Sequence, residues 1–237
     1  MHACIRNSIF LAGFFALSFG VTACGGNEPA ERKAFIEFLQ TQVLDKPGVH
    51  VPKPTEAETK AFGSYAEHYA VITNVATDPE MMAIGGQMAQ AIAVGAPRSL
   101  QEVLDRQKDI QTLRDSIAKL RGALDQKLSN AEAARDALKQ PSDLKAVFAA
   151  AFERNVGDPA RAFRSTFPIV DEALEGVQKI AEFLNAHRGQ VAVSGSNIQV
   201  DDPKLRAELD VMLNALNGTS KQLQEAQRRM RVVLTGS

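Results

Sequence analysis

The chain has 237 residues, 45% of them hydrophobic and 23% charged, with 27 Lys and Arg against 28 Asp and Glu. That is enough apolar material for one sizeable core or two small ones, and it excludes a disordered tail. A net charge of −1, no Trp and two Tyr leave neither a cationic surplus for phosphates nor aromatics for stacking bases, so no nucleic-acid partner is expected. Helix formers are plentiful, while Gly and Pro are confined to a few places, which predicts helix over sheet.

Met1–Asn7 carries the free amino terminus and Arg6, Ser8–Gly20 is uncharged and rich in Phe and Leu, and Val21-Thr22-Ala23 places small residues before Cys24. That order of charge, apolar run and small residues is a secretory signal. The run of about 14 residues falls short of the roughly 20 that span a bilayer. Val21-Thr22-Ala23-Cys24 resembles the bacterial lipobox. Cleavage between Ala23 and Cys24 is therefore expected, with a diacylglyceryl group on the Cys24 thiol and an N-acyl chain on its freed amine as the link to the membrane. Each buried methylene adds about 0.8 kcal/mol, so two or three chains anchor firmly where one does not. The chain accordingly divides into a signal peptide (1–23), a lipidated tether (24–30) and a single helical domain (31–237). Removal of Cys4 and Arg6 with the signal leaves one cysteine, so no disulfide forms within the chain and its core alone must hold it. Gly25, where an aspartate would favour retention at the inner membrane, points to the outer membrane. The tether reaches roughly 20 Å when stretched, which keeps the body near the membrane surface.

From Glu31 the apolar positions Phe35, Phe38, Leu39 and Val43 recur at helical spacing, until Pro47, Gly48, Pro52 and Pro54 impose a loop. Thr55-Glu56-Ala57-Glu58 is a capping box opening a helix through Phe62, Tyr65, Tyr69 and Ile72. Asp78-Pro79 restarts the pattern, and an uncharged stretch runs from Met81 to Pro97 before Ser99 caps a helix expected over Leu100–Gln140, roughly 60 Å long. Its seam repeats every seven residues at Val103, Ile110, Ile117, Leu124, Ala131 and Leu138, with Leu113, Leu120 and Ala134 alongside and Arg106 and Lys127 interrupting. Glu102/Arg106 and Asp115/Lys119 are favourable pairs four apart. Pro141-Ser142-Asp143 caps a shorter helix through Phe148 and Phe152. Asp158-Pro159 starts another, with Phe163, Val170, Val177 and Leu184 repeating every seven and Gly189 ending it.

Val191 and Val193, then Ile198 and Val200, alternate around Ser194-Gly195-Ser196-Asn197, which predicts a hairpin. Asp201-Asp202-Pro203 caps a final helix carrying Leu209, Leu216, Leu223 and Met230. The expected fold is all-α: an elongated antiparallel bundle of the long, coiled-coil-like segments Leu100–Gln140, Asp158–Gly189 and Pro203–Leu234, with the earlier helices packed on it and one small β-hairpin near 190–200.

Arg32-Lys33-Ala34-Phe35-Ile36-Glu37-Phe38-Leu39-Gln40, Phe62-Gly63 with Tyr69-Ala70, Ala137-Leu138-Lys139-Gln140 followed by Asp143-Leu144-Lys145 and Val147-Phe148, and Gln190-Val191 with Asn197-Ile198-Gln199 occur in one order along the chain. In this the chain resembles the YiaF-like bacterial lipoproteins, a domain of unknown function, over nearly the whole mature length and least over Asp78–Ser129. The resemblance implies a lipid-anchored protein of a Gram-negative envelope that faces the periplasm. It brings no catalytic residues with it.

Chemistry is sparse. His50, His68 and His187 are far apart in sequence and no cysteine is left to join them, so neither a metal nor another cofactor is expected. Ser116/Lys119 and Ser142/Lys145 share the spacing that lets an amine activate a serine, but without the companion motifs of such enzymes they are chance, and Ser142 is better used as a cap. The uncharged Met81–Ala96 stretch is too short to span a membrane. Its small residues Gly85, Ala89 and Ala93 would admit another helix closely, whether in a packed core or at a partner or membrane surface. Two expectations follow. The first is a non-enzymatic interaction or scaffold module for an envelope protein partner. The second is a binding protein or enzyme for a lipid or cell-wall ligand, with a surface formed by Tyr65, His68, Tyr69, Met81, Met88 and Ile92.

Overall fold

The structure, a computed structural model, describes residues 27–194 and 197–237. The expected signal peptide, the expected cleavage and lipidation site at Ala23–Cys24 and the hairpin tip Gly195-Ser196 lie outside the described residues. Helix α1 (Glu28–Phe38) begins three residues ahead of the expected Glu31, since Pro29 sits in its first turn, where a missing N–H costs nothing. It runs on into a wide π turn, Leu39–Leu44, before the proline-rich loop. Helix α2 (Glu56–Ala61) opens on the predicted capping box, in which the Glu58 N–H donates to Thr55 Oγ1 and the Thr55 N–H donates to Glu58 Oε2. A short turn at Gly63–Tyr65 leads to α3 (Ala66–Ala76) and then α4 (Pro79–Gly95), capped by Asp78.

Helix α5 (Leu100–Asp136) is capped by Ser99 as expected but stops four residues short of Gln140, because Pro141 disfavours helical backbone in the residue before it. Val103, Ile110, Ile117, Leu120, Leu124 and Ala131 are buried, whereas Ala134 is exposed. A straight helix drifts about 20° per heptad away from a strict seven-residue seam, which carries the last predicted positions off the buried face. Asp115 accepts a hydrogen bond from Gln111 Nε2 at 2.9 Å; among the described residues Lys119 makes no ion pair with it. The Glu102–Arg106 pair does form, at 2.6 Å. In α6 (Ser142–Phe152) the cap position falls on Pro141, so Ser142 caps nothing and Asp143 accepts from the Leu144 N–H instead.

After a second π turn (Glu153–Gly157), the helix expected over Asp158–Gly189 is two: α7 (Asp158–Arg164) and α8 (Thr166–Ala186). Pro168 cannot donate to the Arg164 carbonyl and its ring crowds that carbonyl, so the ladder breaks at Ser165. Helix α8 ends at His187, whose Nδ1 lies 2.8 Å from the Phe183 carbonyl oxygen; Gly189 is not left-handed and plays no part. Strands β1 (Val191–Ser194) and β2 (Asn197–Val200) pair antiparallel with Val191 opposite Val200, and α9 (Pro203–Thr235) follows, capped by Asp202.

The buried side chains form two groups that share α5. One is aromatic: Phe35 and Phe38 of α1 pack on Phe62, Tyr65 and Tyr69, with Phe148 and Phe152 of α6 beneath and Ala131 of α5 at the edge. The other is mainly aliphatic, built from α4, α5, α8, α9 and the hairpin, with Val170, Leu174, Val177 and Ala181 of α8 at its centre and Phe167 and Phe183 among its members. Arg114 of α5 clamps α8 through Asp171 (2.8 Å) and Glu175 (3.5 Å). Lys127, which breaks the seam in sequence, is where α4 starts: it holds Asp78 at 2.5 Å and Glu80 at 2.8 Å. The bundle is therefore antiparallel and helical as expected; α4 packs on the long helices as expected, while α1, α2 and α3 build with α6 a second core that meets α5 at Ala131.

Candidate functional site

The six residues expected to share a surface are separated by the two cores. Tyr65 and Tyr69 are buried in the aromatic group, 6.2 and 6.4 Å from Phe35 between ring centroids. The Tyr65 hydroxyl donates to Glu28 Oε1 at 2.5 Å; burial, then this carboxylate, push its pKa up to about 12. The Tyr69 hydroxyl donates to the Pro52 carbonyl at 3.1 Å, and burial raises its pKa further still. Both phenols are consumed by structure. His68 is half-buried, 3.1 Å from Gln140 Nε2, and burial lowers its pKa against the pull of Glu67. Met88 is fully buried in the aliphatic core, with Ile92 and Met81 packed against that core. Among the described residues these six side chains are divided between the two cores.

The small residues of α4 also differ from expectation. Ala89 and Ala93 are exposed and a Cβ built on Gly85 would have no atom within 4 Å, whereas close approach occurs at Gly95, whose Cβ would stand 3.2 Å from that of Ala173. Met82 is 65% exposed. Helix α4 is thus a core helix along Ile84, Met88, Ala91 and Gly95, with an uncharged outer face. Among the described residues no helix is long and apolar enough to cross a membrane, and no cluster of three metal-ligating side chains occurs. Ser116 donates to the Thr112 carbonyl at 2.8 Å, so its hydroxyl is spent on its own helix.

What the structure does present is an apolar cleft of about 370 Å³ where the two cores meet. Val75 of α3, Met81 and Gly85 of α4, Leu124 and Leu128 of α5 line one side. Val156, Ala160 and Phe163, with Met230 and Leu234 of α9, line the other. The polar groups at its wall are already satisfied. Asn155 accepts from the His50 N–H at 2.7 Å and donates to the Ala151 carbonyl at 2.9 Å. Lys127 is held by Asp78 and Glu80. Beside the cleft the Val49 N–H donates to the Leu234 carbonyl at 3.0 Å and Arg154 Nε to the Gly48 carbonyl at 3.0 Å, a clasp that ties the proline-rich loop to α9 and to the second π turn. Of the expected residues only Met81 takes part. The others come from six elements distant in sequence, and the one local signal for the cleft was Gly85, a gap in an otherwise apolar helix.

A family model described as a protein of unknown function, DUF3053, matches residues 12–231. The chain belongs to this family. The uncharacterized protein YiaF of Escherichia coli strain K12 is 26% identical over 196 residues, covering 83% of each chain, and YiaF of Shigella flexneri gives the same figures. No solved structure matches. The family match spans both cores and the lining of the cleft apart from Leu234, and its description assigns no activity.

Proposed function

We propose that this chain is a lipid-anchored envelope protein whose helical body is a non-catalytic interaction module on the periplasmic side of a Gram-negative membrane. The observation that carries the reading is the sequence Val21-Thr22-Ala23-Cys24 at the end of a short apolar run, with the folded body starting only three residues later at Asn27-Glu28. Three linking residues reach about 10 Å, so an anchor at Cys24 would hold α1 against the headgroups. Two further features support a surface that binds over one that reacts. The long α5 and α9 expose mixed charge along their outer faces, and beyond Glu80 the outer face of α4 is uncharged. Such a body suits an envelope protein partner. Gly25 after Cys24 favours the outer membrane.

The test is metabolic labelling with an acyl-chain analogue, followed by envelope fractionation of wild type and Cys24→Ala. Label and membrane retention that both vanish in the variant support the reading. A variant that stays membrane-bound overturns it, because binding would then belong to the helical body.

A further inference from the structure

The cleft between the cores is walled by hydrocarbon, and the two polar side chains in its lining, Asn155 and Lys127, are already bonded within the protein. A polar ligand group placed there would give up water for nothing in return, which selects a hydrocarbon occupant. Size narrows the choice. An apolar cavity of about 150 Å³ takes a benzene-sized ligand, so one of about 370 Å³ has room for roughly twice as many carbons, a single chain of about 12. That also falls within the usual volume of ligand pockets.

Charge at the rim narrows it again. The acids near the cleft are paired: Asp78 and Glu80 with Lys127, Asp125 with Arg164, Glu153 with Arg135 and Arg161, and Asp158 with Arg161. Arg228 and Arg229 share Glu225. Arg231 is exposed and makes no ion pair among the described residues. It follows Met230 and precedes Leu234, both of which line the cleft, and at 100° per residue it lies about 60° around α9 from Leu234. Leu234 itself is 45% exposed, so the apolar wall runs out to the surface beside this cation.

We propose that the cleft receives the tail of a fatty-acid-class ligand, a single acyl chain ending in a carboxylate, with Arg231 as the counter-charge at the mouth. The inference does not depend on the anchor at Cys24, and the test is arranged so that each can fail alone. The full chain carrying Cys24→Ala is purified and titrated calorimetrically with dodecanoate and with dodecyltrimethylammonium, both below their micellar concentrations. These probes share a tail and differ in head charge. Dodecanoate is expected to bind saturably at one site and about tenfold more tightly than the cation, a preference that Arg231→Glu removes. Gly85→Leu projects into open space on a helix, so the variant folds; it is expected to weaken dodecanoate at least tenfold by filling the cleft. Leu234→Asp, at a half-exposed position, sets a charge against the tail and is expected to do the same. No saturable dodecanoate binding, equal binding of the two probes, or binding indifferent to both Gly85→Leu and Leu234→Asp overturns the proposal.

Discussion

Replacing Phe35 by alanine tests whether the N-terminal helices own a core. Phe35 is completely buried and its ring centroid lies 5.2 Å from Phe62, 6.2 Å from Tyr65, 6.4 Å from Tyr69 and 6.3 Å from Phe148. Truncating a buried Phe costs about 3–5 kcal/mol, and aromatic pairs add about 0.5–1.5 kcal/mol beyond area. Four rings around one position cannot all move in to fill the gap, so the upper half applies, about 4–5 kcal/mol. That is a large share of the roughly 5–15 kcal/mol of a whole protein. At about 2–4 °C per kcal/mol the melting point should fall by about 8–20 °C. The assay is urea unfolding followed by two probes. The chain has no Trp, and both its tyrosines, Tyr65 and Tyr69, sit in this core, so tyrosine fluorescence reports the aromatic group while far-UV dichroism reports all the helices. Phe35→Ala should lower the tyrosine midpoint at least as much as the dichroism midpoint. A loss below about 1.5 kcal/mol, or a tyrosine transition unaffected by the substitution, would refute the packing described.

Two glycines should respond in opposite senses. Gly48 has φ +64° and a Cβ there would overlap the Leu234 carbonyl, so Gly48→Ala should cost on the order of 1–3 kcal/mol and loosen the clasp beside the cleft. Gly86, exposed in mid-α4 with no atom within 4 Å of a built Cβ, should gain about 0.5–1 kcal/mol on replacement by Ala. Thermal melts that reverse this order contradict the backbone geometry. His68 gives a pH dependence whose sign follows from its depressed pKa. Between that lowered value and the unfolded value near 6.5 the unfolded chain binds the extra proton, so stability rises with pH through the window and is lowest beneath it. The melting point should therefore be lower at pH 5 than at pH 7.5, and His68→Gln should shrink the difference; an unchanged difference in the variant would show that other groups set it.

The local elements were legible because their causes are local. The capping box at Thr55, the caps at Asp78, Ser99 and Asp202, and the hairpin around residues 191–200 each need only a few neighbouring residues, and the buried stripes of α5 and α8 follow from their own periodicity. Where the reading missed, a second requirement competed. Pro168 split a helix whose apolar stripe runs on unbroken, and Pro141 took the cap position from Ser142. Amphipathic pattern says that a face is buried but not against which partner. Hence Tyr65 and Tyr69 fall in one core while Met88 falls in the other, with Met81 packed against it, a division that no single helix spells out.

By itself the sequence determined the helical class, most element boundaries to within a few residues, and the family. Each of these is written in periods of a few residues or in contiguous motifs. Tertiary structure alone decided that there are two cores sharing α5 and that an apolar cleft lies between them, because Val75, Gly85, Leu124, Ala160 and Leu234 meet only through the packing of helices far apart in the chain. A void is the place where two packed surfaces fail to interlock, and no single segment carries that information.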